Sequence, residues 1–228
     1  MFTALIPVKI FRSAKQRLSA VLGPMERSGL AAAMLVDTLE LVSQVPSVNN
    51  IVVVTCDPDA RKLALEHSAD VFVESETDGL NDALERAASK LVTDGASGIV
   101  VLPTDVVLTE AKDLIWLLES HQSLEVNVTV ATACTDFGTN CLVANPPSAV
   151  PFCFGKLSSL RHFDAANSRG YKARIVRIPN LDCDIDEVPD LRVLWNSARQ
   201  CHSWKYLARH EALDGIFARS AAAREVIG

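Results

Sequence analysis

The opening third of this sequence has no glycine-rich phosphate loop. Its first glycine is Gly23, so neither G-x-G-x-x-G nor G-x-x-x-x-G-K-[ST] can follow the first apolar run, T-A-L-I-P-V. That excludes a Rossmann fingerprint and a P-loop at the place where α/β proteins most often carry them. The six cysteines, at 56, 134, 141, 153, 183 and 201, form no C-x-x-C pair and no Cys/His spacing typical of zinc; they read as reduced thiols acting as small hydrophobes. The five histidines are scattered, none with a partner at ligand spacing. No apolar run approaches the roughly 20 residues of a membrane span, and residues 1–30 lack the apolar stretch and cleavage site of a signal peptide. A cytoplasmic protein with no membrane partner is expected. Excess positive charge is missing too: 22 Lys and Arg stand against 28 Asp and Glu, a net charge of -6, which argues against nucleic acid as the main partner. Repeats and Gly/Ser linkers are absent. The 228 residues are therefore expected to form one domain, with 196–228 as a helical C-terminal extension that permits a homodimer.

What is present is an alternation of short apolar runs with helical patterns. T-A-L-I-P-V precedes a helix over 24–45; I-V-V-V-T precedes 58–67; D-V-F-V precedes 79–93; G-I-V-V-L precedes 110–120; V-N-V-T-V-A-T closes the series. This βα rhythm predicts an α/β fold, a mostly parallel mixed sheet with helices on both faces. The β-branched runs I-V-V-V-T and G-I-V-V-L read as strands buried on both sides. Pro24 suits a first helical turn with Glu26 near its positive end, and Asp57 before Pro58 suits an N-cap. From about Asn140 the pattern changes to shorter strands, C-L-V-A-N and A-R-I-V-R-I, around a helical Ser158–Arg169, an irregular insertion expected to build the acceptor side of a site. The stretch 195–210 reads as a further helical segment.

The segment Val8–Leu18 carries Lys9, Arg12, Lys15 and Arg17 without one acidic residue. With no glycine loop, such a turn grips an anion with side chains: Arg offers a planar fork and Lys a compact point charge, a pair suited to a polyphosphate. The plainer reading is that these residues solvate a helix start, although cations there oppose the helix dipole at a cost of about 0.3–1 kcal/mol. Asp105 follows the fourth buried strand, and Asp182, Asp184 and Asp186 alternate; an extended segment puts all three on one face. Asp105, Asp184 and Asp186 are the candidate ligands of a hard divalent ion such as Mg²⁺, which takes carboxylate oxygens and leaves other positions to water and substrate phosphates. The alternative for Asp186 is an acidic helix start shared with Glu187. Cations at the first turn and carboxylates at the fourth strand suit nucleotidyl transfer, in which catalysis is positioning plus charge neutralisation.

The ordered set V-K-I-F-R-S-A-K-Q-R-L, G-P-M-E-R, A-M-L-V-D-T-L, G-L-N-D-A-L, V-L-P-T-D, G-T-N-C-L, F-G-K-L-S-S-L-R-H and D-C-D-I-D-E-V-P-D-L resembles the 2-phospho-L-lactate guanylyltransferase family of coenzyme F-420 biosynthesis, over residues 4–195. The resemblance implies a nucleotide-diphospho-sugar transferase-like (GT-A) fold. It also implies an enzyme using GTP and Mg²⁺ to guanylylate a small phosphorylated carboxylic acid (2-phospho-L-lactate, phosphoenolpyruvate or 3-phospho-D-glycerate) with release of pyrophosphate. It assigns Lys9, Lys15 and Arg17 to the phosphates and catalysis, with Lys9 also meeting the acceptor, and places Asn81 beside the nucleotide. Asp105, Asp184 and Asp186 become metal ligands, and Thr139, Gly155 and Ser158 cradle the acceptor. Without it, Thr139 and Ser158 read as turn and N-cap residues; His162 either approaches that pocket or is a packed or solvated helix residue. The chain departs from the family pattern at Val107, where P-x-D-x-P is common and this chain reads Pro103-Thr104-Asp105-Val106-Val107, at Phe137 where a second glycine is common, and at Lys156-Leu157. Rival readings are a molybdenum cofactor guanylyltransferase, which normally opens with a Gly-rich loop, and a silent nucleotide-binding regulatory domain.

Overall fold

Strands rich in Val and Ile are apolar on both faces only where both faces are covered. The computed structural model, which describes residues 1–75 and 79–209, has that arrangement. Seven strands form one sheet: β1 (Phe2–Pro7), β2 (Val48–Thr55), β3 (Asp70–Val73), β4 (Ile99–Val101), β5 (Val128–Thr132), β6 (Thr139–Ala144) and β7 (Ala173–Val176). Their order is β3-β2-β1-β4-β6-β5-β7. Successive residues of each central strand face opposite layers. Ala4, Ile6, Val53, Val100, Cys141 and Val143 join one core, and Leu5, Val52, Val54, Ile99, Val101 and Leu142 join the other.

The first core is closed by α1 (Pro24–Ser43), α2 (Pro58–Glu66) and α4 (Ala111–Ser123), through residues such as Leu35, Leu39, Ala60, Leu114 and Leu118. The second is closed by α3 (Leu80–Thr93) and α5 (Ser158–Ser168), through Ala83, Leu84, Ala87 and Ala166. Each Leu, Ile or Val so enclosed contributes about 1.5–3 kcal/mol relative to leaving it in water. The far side of α1, with Leu30 and Met34, packs on α6 (Val188–Asn196) and α7 (His202–Leu207) through Leu191, Leu194 and Leu207. Among the described residues no helix is long and apolar enough to cross a membrane.

The expected α/β fold with a mostly parallel mixed sheet and helices on both faces is what the chain forms, with three local differences. The change of pattern near Asn140 is not an irregular insertion at its start: β6 is a regular strand, fully buried inside the sheet and antiparallel to both neighbours, β4 and β5. Apolar alternation looks the same in either strand direction, so direction could not be read from it. The basic turn does not lie at the start of α1 either. Val8–Leu18 folds into two short 3-10 turns, Phe11–Ser13 and Gln16–Leu18, and α1 begins six residues later at Pro24, with Glu26 accepting from the Gly23 amide at 2.5 Å. Finally, 195–209, the described part of the expected segment 195–210, is not one helix. α6 stops at Asn196, and buried Asp37 of α1 accepts hydrogen bonds from the amides of His202 and Ser203 and the Ser203 hydroxyl, which fixes a new start for α7. The part of the expected C-terminal extension over 210–228 lies outside the described residues.

Candidate active site

The carboxyl edge of the sheet opens into a cavity of about 790 Å³. Its floor comes from the ends of β1 and β2 and the loop after β4, Pro103–Asp105. Because β6 runs antiparallel, its first residues, Thr139 and Asn140, reach this same edge, where a parallel strand would have placed its last ones. Lys9, Lys15 and Arg17 line the cavity from the basic turn. That turn is held from beneath by Asp57, which accepts from the Phe11 amide at 2.8 Å through one carboxylate oxygen while the other caps α2 by accepting from Asp59 and Ala60. The N-cap role read from the sequence is thus present, together with a second role that Asp57-Pro58 alone could not announce.

The three cations are not equivalent. Lys9 is exposed and has no ion-pair partner among the described residues. Arg17, 69% exposed, leans on Glu187 at 3.4 Å and Asp186 at 3.9 Å. Lys15 leaves only 9% of its side chain exposed, its backbone in the left-handed region at φ 51°, a conformation that costs a side-chain-bearing residue about 1–3 kcal/mol and persists where its surroundings fix it. Its ammonium bridges Asp105 at 3.3 Å and Asp186 at 2.9 Å. Burial opposes that charge, but the two carboxylates outweigh it and hold the Lys15 pKa above the ordinary ammonium value.

One backbone hydrogen bond assembles the carboxylates: the Ile185 amide donates to the Asp105 carbonyl at 3.0 Å, setting Asp184 and Asp186 on either side of that link. Asp190 then caps the start of α6 by accepting from the amides of Asp186 and Glu187, which leaves the Asp186 carboxylate free for Lys15. The helix start belongs to Glu187 as N-cap rather than to Asp186. Asp184 has no ion pair among the described residues; burial, then the charges of Asp105 and Asp186, push its pKa up. Asp186 is drawn the other way: burial is outweighed by Lys15, with Arg17 and Lys9 assisting. Asp182 departs from the one-face expectation, because Asp182–Glu187 is irregular rather than extended and Arg177 captures its carboxylate at 2.6 Å, away from the cavity. Among the described residues no three His, Cys, Asp or Glu side chains are already arranged to hold a metal ion. The donor chemistry nevertheless suits a hard cation: Asp105, Asp184 and Asp186 carry three potential negative charges around one buried ammonium.

Opposite the cations lies the segment 152–155, pinned by three side chains to three consecutive amides. Phe152 donates to Glu85 at 2.8 Å, Cys153 to His162 Nε2 at 3.0 Å, and Phe154 to Asn81 at 2.8 Å. This leaves Gly155, at φ 129°, lining the cavity in a conformation side chains rarely adopt. Thr139 lines it as well. Ser158 does not: it is fully buried at the start of α5, and its hydroxyl donates to Thr139 Oγ1 at 2.9 Å. Asn81 also stays out of the cavity, because its amide is committed to both backbone groups of Phe154 while Gly79, Leu80 and Ala83 form the wall. Sequence reasoning passed over Glu85, and it placed His162 near the pocket without the hydrogen bonds that the ring makes to Cys153 and Thr139. Each sits four positions beyond a singled-out residue, Asn81 and Ser158, and so on the same helix face, which is the signal that could have found them. The departures from the family pattern surface here too: Phe137 and Leu157 are both left-handed, at φ 55° and 58°, and exposed. Of the cysteines, Cys141 is the buried hydrophobe expected, whereas Cys134 is exposed and Cys56 lines the cavity.

Comparison with known proteins adds an independent line. The sequence model described as "Guanylyl transferase CofC like" matches residues 2–227. A phosphoenolpyruvate guanylyltransferase from Roseiflexus castenholzii is 37% identical over 200 residues, 88% of this chain and 90% of that one. A 3-phospho-D-glycerate guanylyltransferase from Colwellia psychrerythraea is 30% identical over 189 residues, 83% and 89% of the two chains. In three dimensions, a cytidylyltransferase from Leptospira borgpetersenii superposes with a TM-score of 0.60 at 16% identity, covering 97% of this chain and 96% of that one, a likeness of fold.

Proposed function

Since the chain belongs to the CofC-like guanylyl transferase family, matched from residue 2 to residue 227, we propose that its cavity transfers GMP from GTP to a phosphorylated three-carbon acid. Phosphoenolpyruvate is the acceptor we put first, because the relative of that name shares 37% identity against 30% for the 3-phospho-D-glycerate enzyme. The reaction places the product in coenzyme F-420 biosynthesis, as the diphosphate-linked precursor of the cofactor's side chain. The observation that carries the reading is the Lys15 ammonium, buried between Asp105 and Asp186 on the floor of a cavity whose far wall presents Thr139 and Gly155.

The chemistry needs no covalent enzyme intermediate. A phosphate oxygen of the acceptor attacks the α-phosphorus of GTP, a new P–O bond forms, the bond from the α-phosphorus to the bridging oxygen breaks, and pyrophosphate departs with that oxygen and the electron pair. Lys15 neutralises charge on the phosphates from a position where water is largely excluded, which strengthens its effect. Lys9 and Arg17, nearer solvent, hold the outer phosphate oxygens, and Arg17 does so by exchanging its loose contacts with Glu187 and Asp186. Lys9 also faces the acceptor. Thr139 donates its hydroxyl, and Gly155 its backbone, to the acceptor's anionic groups, while Asn81 and Glu85 keep the Gly155 segment in place and Ser158 supports Thr139. Asp105, Asp184 and Asp186 would hold Mg²⁺, which supplies Lewis-acid neutralisation of the triphosphate when bound.

The test is direct. The protein is offered GTP and Mg²⁺ with phosphoenolpyruvate, 2-phospho-L-lactate or 3-phospho-D-glycerate in turn, and the product is identified by mass. A guanosine diphosphate-linked acid with stoichiometric pyrophosphate is expected, most rapidly from phosphoenolpyruvate. Turnover of none of the three refutes the acceptor class, and a faster reaction with either other acid corrects the choice within it.

A further inference from the structure

We propose that His162 is a positioning residue that fixes the Thr139 hydroxyl as a hydrogen-bond donor aimed into the cavity, toward the acceptor's anionic group. The Cys153 amide lies 3.0 Å from His162 Nε2, and an amide N–H can only donate, so Nε2 presents its lone pair. The ring is fully buried, packed edge-on against Phe154 with centroids 5.1 Å apart. Burial, with Arg161 nearby, lowers its pKa to about 4, so near neutral pH it carries a single proton. That proton is therefore on Nδ1, 3.0 Å from Thr139 Oγ1. Ser158 Oγ, 2.9 Å away and itself fully buried, donates to the same oxygen.

Thr139 Oγ1 thus receives two hydrogen bonds, which occupy both of its lone pairs. Its own hydrogen is left over, and no acceptor among the described residues takes it. Thr139 borders the cavity, so the only direction still open to that hydrogen is toward a ligand. A hydroxyl in this state is a committed donor: it favours phosphate or carboxylate oxygen and cannot turn to accept from a hydroxyl group of a competing molecule. His162 performs a second task with its other nitrogen, holding the Cys153 amide next to Gly155, so one neutral ring sets both groups that line the acceptor wall. This inference rests on the reading of that wall as the acceptor site.

Two measurements test it. A long-range proton–nitrogen correlation spectrum of histidine-labelled wild-type protein, with the ring assigned by its loss in His162→Gln, reports the tautomer without any substrate. The Nδ1–H form is expected; an Nε2–H or doubly protonated ring at neutral pH overturns the proposal. The second is a double-mutant cycle on the KM of the acceptor. Thr139→Val and His162→Gln are each expected to raise that KM about tenfold or more, a loss of about 1.4 kcal/mol, with the KM for GTP within about twofold of wild type. The double variant should lose clearly less than the sum of the two single losses, because part of what His162 does runs through the lost hydroxyl and only its hold on the Cys153 amide is independent of it. Additive losses, or a KM for GTP that rises in parallel, overturn the positioning role in favour of a merely structural one. If His162→Gln does not fold, the ring is assigned through its resonance shift in Thr139→Val, and the spectrum still decides. A wild type that turns over none of the three acids refutes the functional reading; one that does, with an Nε2–H ring, refutes only this inference.

Discussion

Replacing Lys15 by methionine keeps the length of the side chain and removes the one buried cation among Asp105, Asp184 and Asp186. With ion-pair distances of 3.3 and 2.9 Å, each attraction is about 5–6 kcal/mol at an effective dielectric constant near 20, before the cost of dehydrating the charges. Removing one partner of a buried pair typically costs about 3–5 kcal/mol. The carboxylates here are 28% and 39% exposed, so water screens part of what is lost and about 2–3 kcal/mol is the expected destabilisation. For a chain of this size that corresponds to a fall of about 4–12 °C in the thermal midpoint, measured by calorimetry or circular dichroism in a chelator-treated buffer. The variant should also respond more to added Mg²⁺ than the parent does, since three carboxylates then lack any internal cation. A midpoint within about 1 °C of the parent, or an identical response to Mg²⁺, would refute the claim that this cluster is poised between an ammonium and a metal ion.

Asp105→Asn should lower turnover by about 10²–10³-fold or more, the scale of losing one preorganised charge, while lowering the thermal midpoint less than Lys15→Met does, because Lys15 keeps Asp186 and the backbone bond from Ile185 to the Asp105 carbonyl survives; initial rates of pyrophosphate release with GTP and Mg²⁺ check it. The buried rings His121 and His162 both have pKa values lowered to about 4, chiefly by burial, so the unfolded chain binds protons that the folded chain refuses between about pH 6.5 and 4. Stability is then full above about pH 6.5 and falls as the pH drops through that window, by up to about 3 kcal/mol per ring. Denaturant titrations at stepped pH measure this, with Thr139→Val unable to abolish the His121 share. Phe137→Gly relieves a left-handed conformation worth about 1–2 kcal/mol against about 0.5–1 kcal/mol of glycine entropy, so the midpoint should rise by a degree or more; a fall would show that the exposed ring is held by contacts that matter.

The strands and helices around the sheet were legible because their apolar spacing is fixed by burial: Val52, Val53 and Val54 must face alternate cores, and α3 shows its inner face through Ala83, Leu84, Ala87 and Leu91. The direction of β6 was not legible, since it depends on where the chain returns after β5 and not on which residues are apolar. Within the cavity, Lys9, Lys15, Arg17, Asp105, Asp184 and Asp186 line one space, as residue type and spacing suggested, and Thr139 and Gly155, which only the family resemblance implied, line it with them. The side chains of Asn81 and Ser158 fall short of it for one physical reason: a polar group next to a buried backbone or hydroxyl partner satisfies that partner first. Asp182 is lost to Arg177 in the same manner. Conversely, His162 gained a role because the amide of Cys153, distant from it in any periodic pattern, happens to need an acceptor. Spacing shows which face a side chain shares; it does not show which neighbours will claim its hydrogen bonds.

Whether early cations and late carboxylates act on one nucleotide is tested most directly by a crystal structure of the protein with a non-hydrolysable GTP analogue and Mn²⁺. Triphosphate density is expected in contact with Lys9, Lys15 and Arg17, with an anomalous manganese peak among the carboxylates of Asp105, Asp184 and Asp186. Nucleotide density outside the cavity, or a manganese peak remote from those three carboxylates, would contradict it.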